Sequence, residues 1–285
     1  MPYTQQISRQ NKACFLFLLD QSFSMEEPLG GSRQRKCDQL AAAVNSWLQN
    51  MALRACGDEG VKDWMDVGVL GYRTDPQASP IIESSLQGRL AGRQLVSIAE
   101  IAGSPARIET RTQSFVDDAT GQTIDVPCDL PIWVDPMAQG GTPMCRSLRL
   151  AHEILESWIA QHPQSFPPVV IHITDGESQD GDPLPYAKAL RNLATNDGHV
   201  LLFNAHLSTT DAASVLFPAD EAKLPDSLAR TLFSMSSLLP QSFVRQAAQE
   251  GMSLQSNARG MAFNADMTCL IQFLNMGTRV ASSLR

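Results

Sequence analysis

The sequence predicts an α/β fold with a doubly wound, mainly parallel, six-stranded sheet flanked by helices. Strand-like and helix-like runs alternate along its 285 residues, which is typical of a parallel sheet with helices on both faces. Hydrophobic residues make up 43% of the chain and charged residues 18%, the balance of a globular protein. We therefore predict one domain over residues 13–282, preceded by a polar tail over residues 1–12.

Apolar runs and one-sided apolar patterns mark the elements of this fold. Residues 13–19 are all apolar, as expected of a central strand that is buried on both faces. Further strands are predicted at residues 65–72, 168–174, 200–207 and 260–264. Residues 32–55 predict a helix, because one helical face carries Leu40, Val44, Trp47, Leu48 and Met51. Other helices are predicted at residues 142–162, 183–195, 227–236, 241–251 and 266–278.

Residues 75–140 interrupt this alternation with prolines, glycines and short β-like pieces. Within them, residues 108–116 and 122–126 flank an Asp-Asp-Ala-Thr-Gly loop at 117–121, a pattern that predicts a β-hairpin. The segment is too poor in apolar periodicity to fold alone, so we interpret it as an insertion on the domain. We expect this insertion, with residues 133–136, to determine partner specificity.

Charge and cysteine usage limit the classes of function and the compartment. The net charge of -8 argues against nucleic-acid binding, and the densest basic spot, Arg33, Arg35 and Lys36, is interpreted as a solvated helix face. The six cysteines form no CxxC pair, which indicates reduced, mostly buried thiols and a cytoplasmic protein. Residues 1–12 lack an apolar signal core, and the apolar run at 13–19 is far shorter than the roughly 20 residues of a membrane helix.

Three short motifs carry oxygen-bearing side chains and adjoin predicted strands or helices. They are DQSFS at residues 20–24, GGTP at 140–143 and TDG at 174–176. Ligands bind at the carboxyl ends of strands in an open parallel sheet, so we expect the three motifs to converge there. Together they offer two carboxylates and three hydroxyls, from Asp20, Ser22, Ser24, Thr142 and Asp175.

Such a set of hard oxygen donors suits Mg²⁺, with Mn²⁺ or Ca²⁺ as other candidates, whereas zinc would need His or Cys. Because few of these ligands are negatively charged, the ion can still accept a carboxylate from outside.

In this order and on these elements, the motifs resemble the metal-ion-dependent adhesion site of von Willebrand factor A domains. The family pattern Asp-x-Ser-x-Ser matches Asp20, Ser22 and Ser24, its threonine matches Thr142, and its second aspartate matches Asp175. The resemblance implies a binding module, not an enzyme, that grips an acidic residue of a partner protein through Mg²⁺.

Two features of this sequence depart from the family pattern. Phe23 stands where many members have glycine, and residues 75–140 have no counterpart in minimal members. The chain is also similar to stand-alone bacterial members of the tellurite-resistance-associated, TerY-like group. Those accompany serine/threonine kinases and protein phosphatases, which implies an adaptor role in signalling or stress response.

Two other functions stay open. A Mg²⁺-dependent phosphatase of the haloacid dehalogenase type also places an aspartate after its first strand, but it needs a second aspartate two residues on, where this chain has Ser22. The other alternative is a scaffold whose site has lost its function.

Four further features have ordinary structural interpretations. His172 and His206 are interpreted as core or rim histidines with satisfied hydrogen bonds, and the acidic residues of 177–182 as a solvated loop. Cys145 opens a predicted helix, where the pKa of a thiol can fall, but no histidine is placed to make it a nucleophile.

Overall fold

The structure is a computed structural model that describes residues 3–30, 32–57, 60–116, 123–209, 213–222, 224–249 and 251–279. The strands in these ranges are β1 Ala13–Asp20, β2 Cys56–Gly57, β3 Gly60–Val61, β4 Met65–Thr74, β5 Pro80–Ser84, β6 Val96–Ser97, β7 Arg107–Val116, β8 Thr123–Ile132, β9 Val169–Thr174, β10 Leu201–Leu207, β11 Val215–Leu216 and β12 Met261–Ala265. The α-helices are α1 Lys36–Ala55, α2 Ile98–Gly103, α3 Met144–Gln161, α4 Leu184–Asn192, α5 Ser227–Met235, α6 Gln241–Gln249 and α7 Met267–Arg279. Short 3-10 turns lie at Phe23–Glu26 and Gly88–Leu90.

The central sheet has the strand order β11-β12-β10-β9-β1-β4-β5, and β6 also pairs with β4. Strands β4, β1, β9, β10 and β12 run parallel, whereas β5, β6 and β11 pair antiparallel to their neighbours. The predicted mainly parallel α/β fold is confirmed, but the count of six strands is wrong, because the described residues form a sheet of eight strands. Two of the three antiparallel strands have only two residues and the third is half-buried, so none shows a long apolar run.

β1 lies in the middle of the sheet and is buried along its whole length. Side chains that alternate along β1 pack into two different hydrophobic clusters. Phe15 and Phe17 pack edge-on against Trp47 of α1, with ring centroids 5.5 and 4.8 Å away, while Leu16 and Leu18 face a second cluster that includes α3. Burial on both faces explains why the run is continuously apolar rather than alternating. It also fixes where the strand ends, and therefore where its terminal aspartate lies.

Most of the predicted elements are present, with small shifts at their ends. The helix predicted over 32–55 begins at Lys36, and all five apolar positions that predicted it are buried. The helix predicted from residue 142 runs from Met144 to Gln161. The sequence analysis missed one helix, α2, and five short strands, β2, β3, β5, β6 and β11.

Residues 75–140 both extend the central sheet and project from it. β5 joins β4 through Cα pairs that run from Thr74–Pro80 to Leu70–Ser84. β7 and β8 form the predicted hairpin as a separate two-stranded sheet, although β8 continues to Ile132, beyond the predicted end. Its loop at 117–121 lies outside the described residues. The effect of this segment on partner specificity stays a prediction.

The end of the hairpin is fastened to α1 by one buried side chain. The Asn45 carbonyl oxygen accepts hydrogen bonds from the backbone N–H groups of Trp133 and Val134, at 2.9 and 3.0 Å, and its amide donates to the Val134 carbonyl. The Trp133 indole donates to the Ile101 carbonyl on α2. Satisfied buried polar groups of this kind fix one geometry, so the chain enters the following glycine-rich loop from a defined position.

The segment before β1 packs onto the fold. The carboxylate of Asp197 accepts hydrogen bonds from the backbone of Thr4 and Gln5, Ile7 is buried, and Lys12 pairs with Asp66 at 3.2 Å. Within the described ranges, no helix combines the length and apolarity that crossing a membrane would need.

All six cysteines are free, and the expectation that most are buried holds for three of them, Cys14, Cys37 and Cys145. The compartment stays a prediction.

A fully buried polar chain crosses the sheet beneath the strand ends. His172 on β9 contacts the Tyr72 hydroxyl through Nε2 at 2.8 Å and the Asn204 carbonyl oxygen through Nδ1 at 2.8 Å. Asn204 in turn donates to the Ser236 hydroxyl at 2.8 Å. His172 is therefore the satisfied core histidine that was predicted. Burial lowers the pKa of His172 to about 4, because the charged imidazolium would lose its hydration.

We predict that His172 makes the protein less stable in mild acid. Between the pKa of an unfolded histidine, 6.5, and about 4, the unfolded chain binds a proton that the folded protein does not. The contribution of His172 to the free energy of unfolding should therefore fall by about 1.4 kcal/mol per pH unit below 6.5. Between pH 7.5 and 5, urea denaturation should show that His172→Gln loses about 2 kcal/mol less stability than the wild type. Equal losses in the two proteins would contradict this assignment.

Candidate metal centre

Asp20 is the last residue of β1, and its side chain is held at both oxygens. Oδ1 accepts the Ser22 backbone N–H at 2.8 Å, which turns the chain sharply after the strand. Oδ2 accepts the Thr174 hydroxyl at 2.6 Å. Since β1 and β9 are parallel neighbours paired through Leu19 and Ile173, the next residue of each strand lies beside the other. The carboxylate is thus oriented by both strands and is 0% exposed.

The electrostatic environment of Asp20 disfavours its negative charge. Burial, followed by the negative charge of Asp175, raises the pKa of Asp20 to about 6, although hydrogen bonds from Ser22 and Thr174 oppose the rise. Two carboxylates at adjacent strand ends are repulsive unless a cation lies near them. The fold therefore concentrates negative potential at this point of the rim.

Ser22, Ser24 and Asp175 are joined to Asp20 by a continuous series of hydrogen bonds. The hydroxyl oxygens of Ser22 and Ser24 lie 3.1 Å apart, and the Ser24 hydroxyl donates to Asp175 Oδ1 at 2.7 Å. The 3-10 turn Phe23–Glu26 lets both serines face the same point. The structure therefore brings together four of the five residues that the sequence analysis singled out.

Thr142, the fifth residue, lies in a loop that is fastened to the first motif through its backbone. Gln139 donates to the Gln21 carbonyl at 2.6 Å, and Phe23 donates to the Gly140 carbonyl at 2.9 Å. Gly140 has φ +68, and a β-carbon there would collide with the backbone of Thr74, so this turn requires glycine. The loop thereby carries Thr142, which is 3% exposed, to the same rim of the sheet.

Two residues of the loop after β9 position Thr142, and the sequence analysis missed this role for both. Gln179 donates its backbone N–H to the Thr142 carbonyl at 2.9 Å and accepts the Thr142 N–H through Oε1 at 3.2 Å. Asp180 accepts the backbone N–H groups of Cys145 and Arg146 at 2.9 and 3.0 Å, and so satisfies the first turn of α3. Asp180 is exposed, as the interpretation of a solvated loop predicts, but it also caps α3, a role that this interpretation did not include.

Lys36 also belongs to the site, although its basic cluster was interpreted as a solvated helix face. Lys36 is 3% exposed, and its ammonium lies 2.8 Å from Asp175 Oδ2. Arg35 fits the prediction better, since its exposed guanidinium pairs with Glu26 and Asp38 on the surface. Lys36, the first residue of α1, points inward because the helix begins above the strand ends. The neighbouring Arg35 is exposed, so the run of basic residues in the sequence does not indicate that Lys36 is buried.

Three other residues that the sequence analysis singled out have defined environments here. His206 lies beside Thr174 at the rim and stacks on Phe263, but its Nδ1 has no hydrogen-bond partner among the described residues, so it is not fully satisfied. Burial raises the pKa of the Cys145 thiol, so the fall that a helix start can cause does not occur here. Phe23 is 71% exposed and points into solvent.

The donor set of this site fits a hard cation such as Mg²⁺. Its atoms are carboxylate and hydroxyl oxygens, and its two carboxylates lie close enough to perturb each other. Within the described ranges, no group of three or more His, Cys, Asp or Glu side chains could hold a metal. Any ion here would therefore depend on the serine and threonine hydroxyls as well as on the two aspartates.

Comparisons with known proteins give only distant likeness. No family model and no curated protein matches the chain. It is similar to the PilB minor pilin from Streptococcus sanguinis, with 11% identity and a TM-score of 0.47 over 99% of this chain and 64% of the pilin. It is also similar to the vWF domain of the type V pili tip protein Mfa5 from Porphyromonas gingivalis, with 14% identity and a TM-score of 0.31 over 59% of this chain and 39% of that one. The chain thus spans less than two thirds of either, and likeness at this level identifies neither a family nor a function.

We predict that Asp180 holds α3, and with it Thr142, in place. Asp180→Ala removes the acceptor of two N–H groups at the start of the helix, which should lower the free energy of unfolding by about 1–2 kcal/mol. Asp180→Asn retains one side-chain oxygen and should recover part of the loss. Urea denaturation measures both effects. An Asp180→Ala protein as stable as the wild type would contradict the capping role.

Proposed function

We propose that this protein is a metal-dependent protein-binding module, an adaptor or regulator that grips an acidic side chain of a partner protein through Mg²⁺. The observation that carries the proposal is the hydrogen-bonded cluster of Asp20, Ser22, Ser24 and Asp175 at one rim of the central sheet. The resemblance of the three motifs to the adhesion site of von Willebrand factor A domains supports the same function.

The residues of such a site would have different roles in binding the ion. Ser22, Ser24 and Thr142 would supply neutral oxygens, while Asp20 and Asp175 supply the negative charge. Thr174 and the Ser22 backbone orient the Asp20 carboxylate, so that it needs little reorganisation to receive an ion. A bound Mg²⁺ would supply an open coordination position that an external carboxylate can take. Mn²⁺ or Ca²⁺ could serve in its place.

The main alternative is a Mg²⁺-dependent phosphatase with Asp20 as the nucleophile. One observation favours it, since Lys36 lies where a cation could neutralise a phosphate. Two observations weigh more heavily against it. Asp20 is fully buried with both oxygens hydrogen-bonded, which hinders attack, and the residue two positions on is Ser22, a hydroxyl that is too weak an acid to protonate a leaving group.

The partner is proposed on the resemblance to the TerY-like group alone. We infer a bacterial, cytoplasmic setting in signalling or stress response, in which a serine/threonine kinase or a protein phosphatase presents an Asp or Glu to the ion. Phe23 extends from the loop between the first two serines and is 71% exposed, so it offers that partner an apolar contact beside the proposed ion.

We predict that Mg²⁺ or Mn²⁺ stabilises the protein against heat and that Asp20→Asn abolishes this effect. Ligands that bind only the folded state raise the melting temperature, and Asn cannot supply the charge that holds the ion. Glu156→Gln removes one charge from an exposed position on α3 and should keep the full effect. If Asp20→Asn responds to the ion as the wild type does, the site is not where the ion binds.

The partner-binding proposal predicts capture that depends on both the ion and Phe23. Proteins retained by the immobilised wild type in Mg²⁺ should be released by a chelator, and they should be absent from an Asp20→Asn column. Phe23→Ala should retain them about tenfold less well while keeping its response to Mn²⁺, since removal of an interface anchor costs roughly 1–2 kcal/mol. Capture that survives both the chelator and Asp20→Asn would contradict the proposal. Hydrolysis of an aryl phosphate that is lost in Asp20→Asn would favour the phosphatase instead.

A further inference from the structure

The Lys36 ammonium is the buried cation of the site, and its hydrogen-bonding capacity is fully used. It donates to Asp175 Oδ2 at 2.8 Å, to Glu27 Oε2 at 3.0 Å and to the Ser24 carbonyl at 3.4 Å. A lysine has three N–H donors, and lysines are rarely buried unless they are paired. The position of Lys36 is therefore set by the same residues that form the proposed metal centre.

Both oxygens of Asp175 are engaged before any ion arrives. Oδ1 accepts the Ser24 hydroxyl and Oδ2 accepts the Lys36 ammonium, and the Asp175 side chain is buried. An ion that approaches Asp175 must share the carboxylate with Lys36 or displace it. In either case a positive charge remains within a few ångströms of the ion.

The formal charges of the buried groups show what Lys36 changes. Asp20 and Asp175 contribute two negative charges and Lys36 one positive charge, while Glu27 is more than half exposed and is screened by solvent. A divalent ion would therefore leave the site with a formal charge of about +1. Without the lysine the same site would be neutral. Lys36 therefore reduces the formal charge of the ion-free site from -2 to -1, so the site attracts the ion less strongly, while the positive charge left after the ion binds attracts an external carboxylate.

We propose that Lys36 is a resident cation that competes with the divalent ion for Asp175, so that the ion is held weakly until an acidic ligand completes the site. This inference rests on the proposed function and adds a regulatory property to it: ion and partner bind cooperatively, each strengthening the other by the same factor. A protein with this property would carry little metal when alone and would load the ion together with its partner.

Replacing Lys36 by neutral and by charged side chains tests the competition. Lys36→Met has a similar length without the charge, and it should bind Mn²⁺ about tenfold more tightly than the wild type in a titration followed by electron paramagnetic resonance. Lys36→Arg retains the charge and should bind within about threefold of the wild type. Because Lys36→Met leaves the buried Asp175 carboxylate without its ion pair, which destabilises the fold, Lys36→Gln, which keeps a donor, is measured as well, with the same expectation. Neutral variants that bind Mn²⁺ no more tightly than the wild type would overturn the inference.

Acetate serves as the carboxylate probe for the cooperativity. Acetate should tighten Mn²⁺ binding by the wild type more than by the neutral Lys36 variants, because only the wild-type site is left positive. An equal effect of acetate in both would overturn the coupling. The two proposals fail separately. If Asp20→Asn binds Mn²⁺ as the wild type does, the proposed function fails; if binding needs Asp20 but is insensitive to Lys36, only this inference fails.

Discussion

The repulsion between two buried carboxylates is the constraint on which the rest of the site depends. Asp20 is the last residue of β1 and Asp175 directly follows β9, so the register of these adjacent parallel strands brings the two carboxylates together. Burial and the neighbouring charge raise the pKa of Asp20 to about 6. Such a pair persists only if cations and hydrogen-bond donors compensate it, and the hydroxyls of Ser24 and Thr174 and the ammonium of Lys36 do so here.

Contacts in the surrounding loops hold the three motifs of the site together. Gln179 and Asp180 tie the loop after β9 to Thr142 and the start of α3, while Gly140 allows the intervening turn to approach the backbone of Thr74. Three chain segments that are distant in sequence are thus joined both by backbone hydrogen bonds and by bonds from side chains. The side chains that would meet an ion are left at the centre, and Phe23 remains outside, available to a partner.

The sequence predicted the parts of the structure that depend on the pattern of apolar and polar residues within one segment. The apolar run of β1 and the polar residues after it located one side of the site, because parallel strands end at the same rim. The burial of Lys36 was not predictable, since only the packing of α1 above the strand ends distinguishes it from exposed Arg35. The cap from Asp180 joins residues 35 apart in sequence, and β5, β6 and β11 are too short or too exposed to carry a signal.

The central claim is that one divalent ion lies among five oxygen-bearing side chains at the rim of the sheet. Anomalous X-ray scattering from crystals soaked in Mn²⁺ locates such an ion directly. The account predicts a single peak about 2.1 Å from the hydroxyl oxygens of Ser22 and Ser24, with Thr142, Asp20 and Asp175 around it, directly or through one water. A peak elsewhere on the protein, or none at a Mn²⁺ concentration that stabilises it against heat, would contradict the claim.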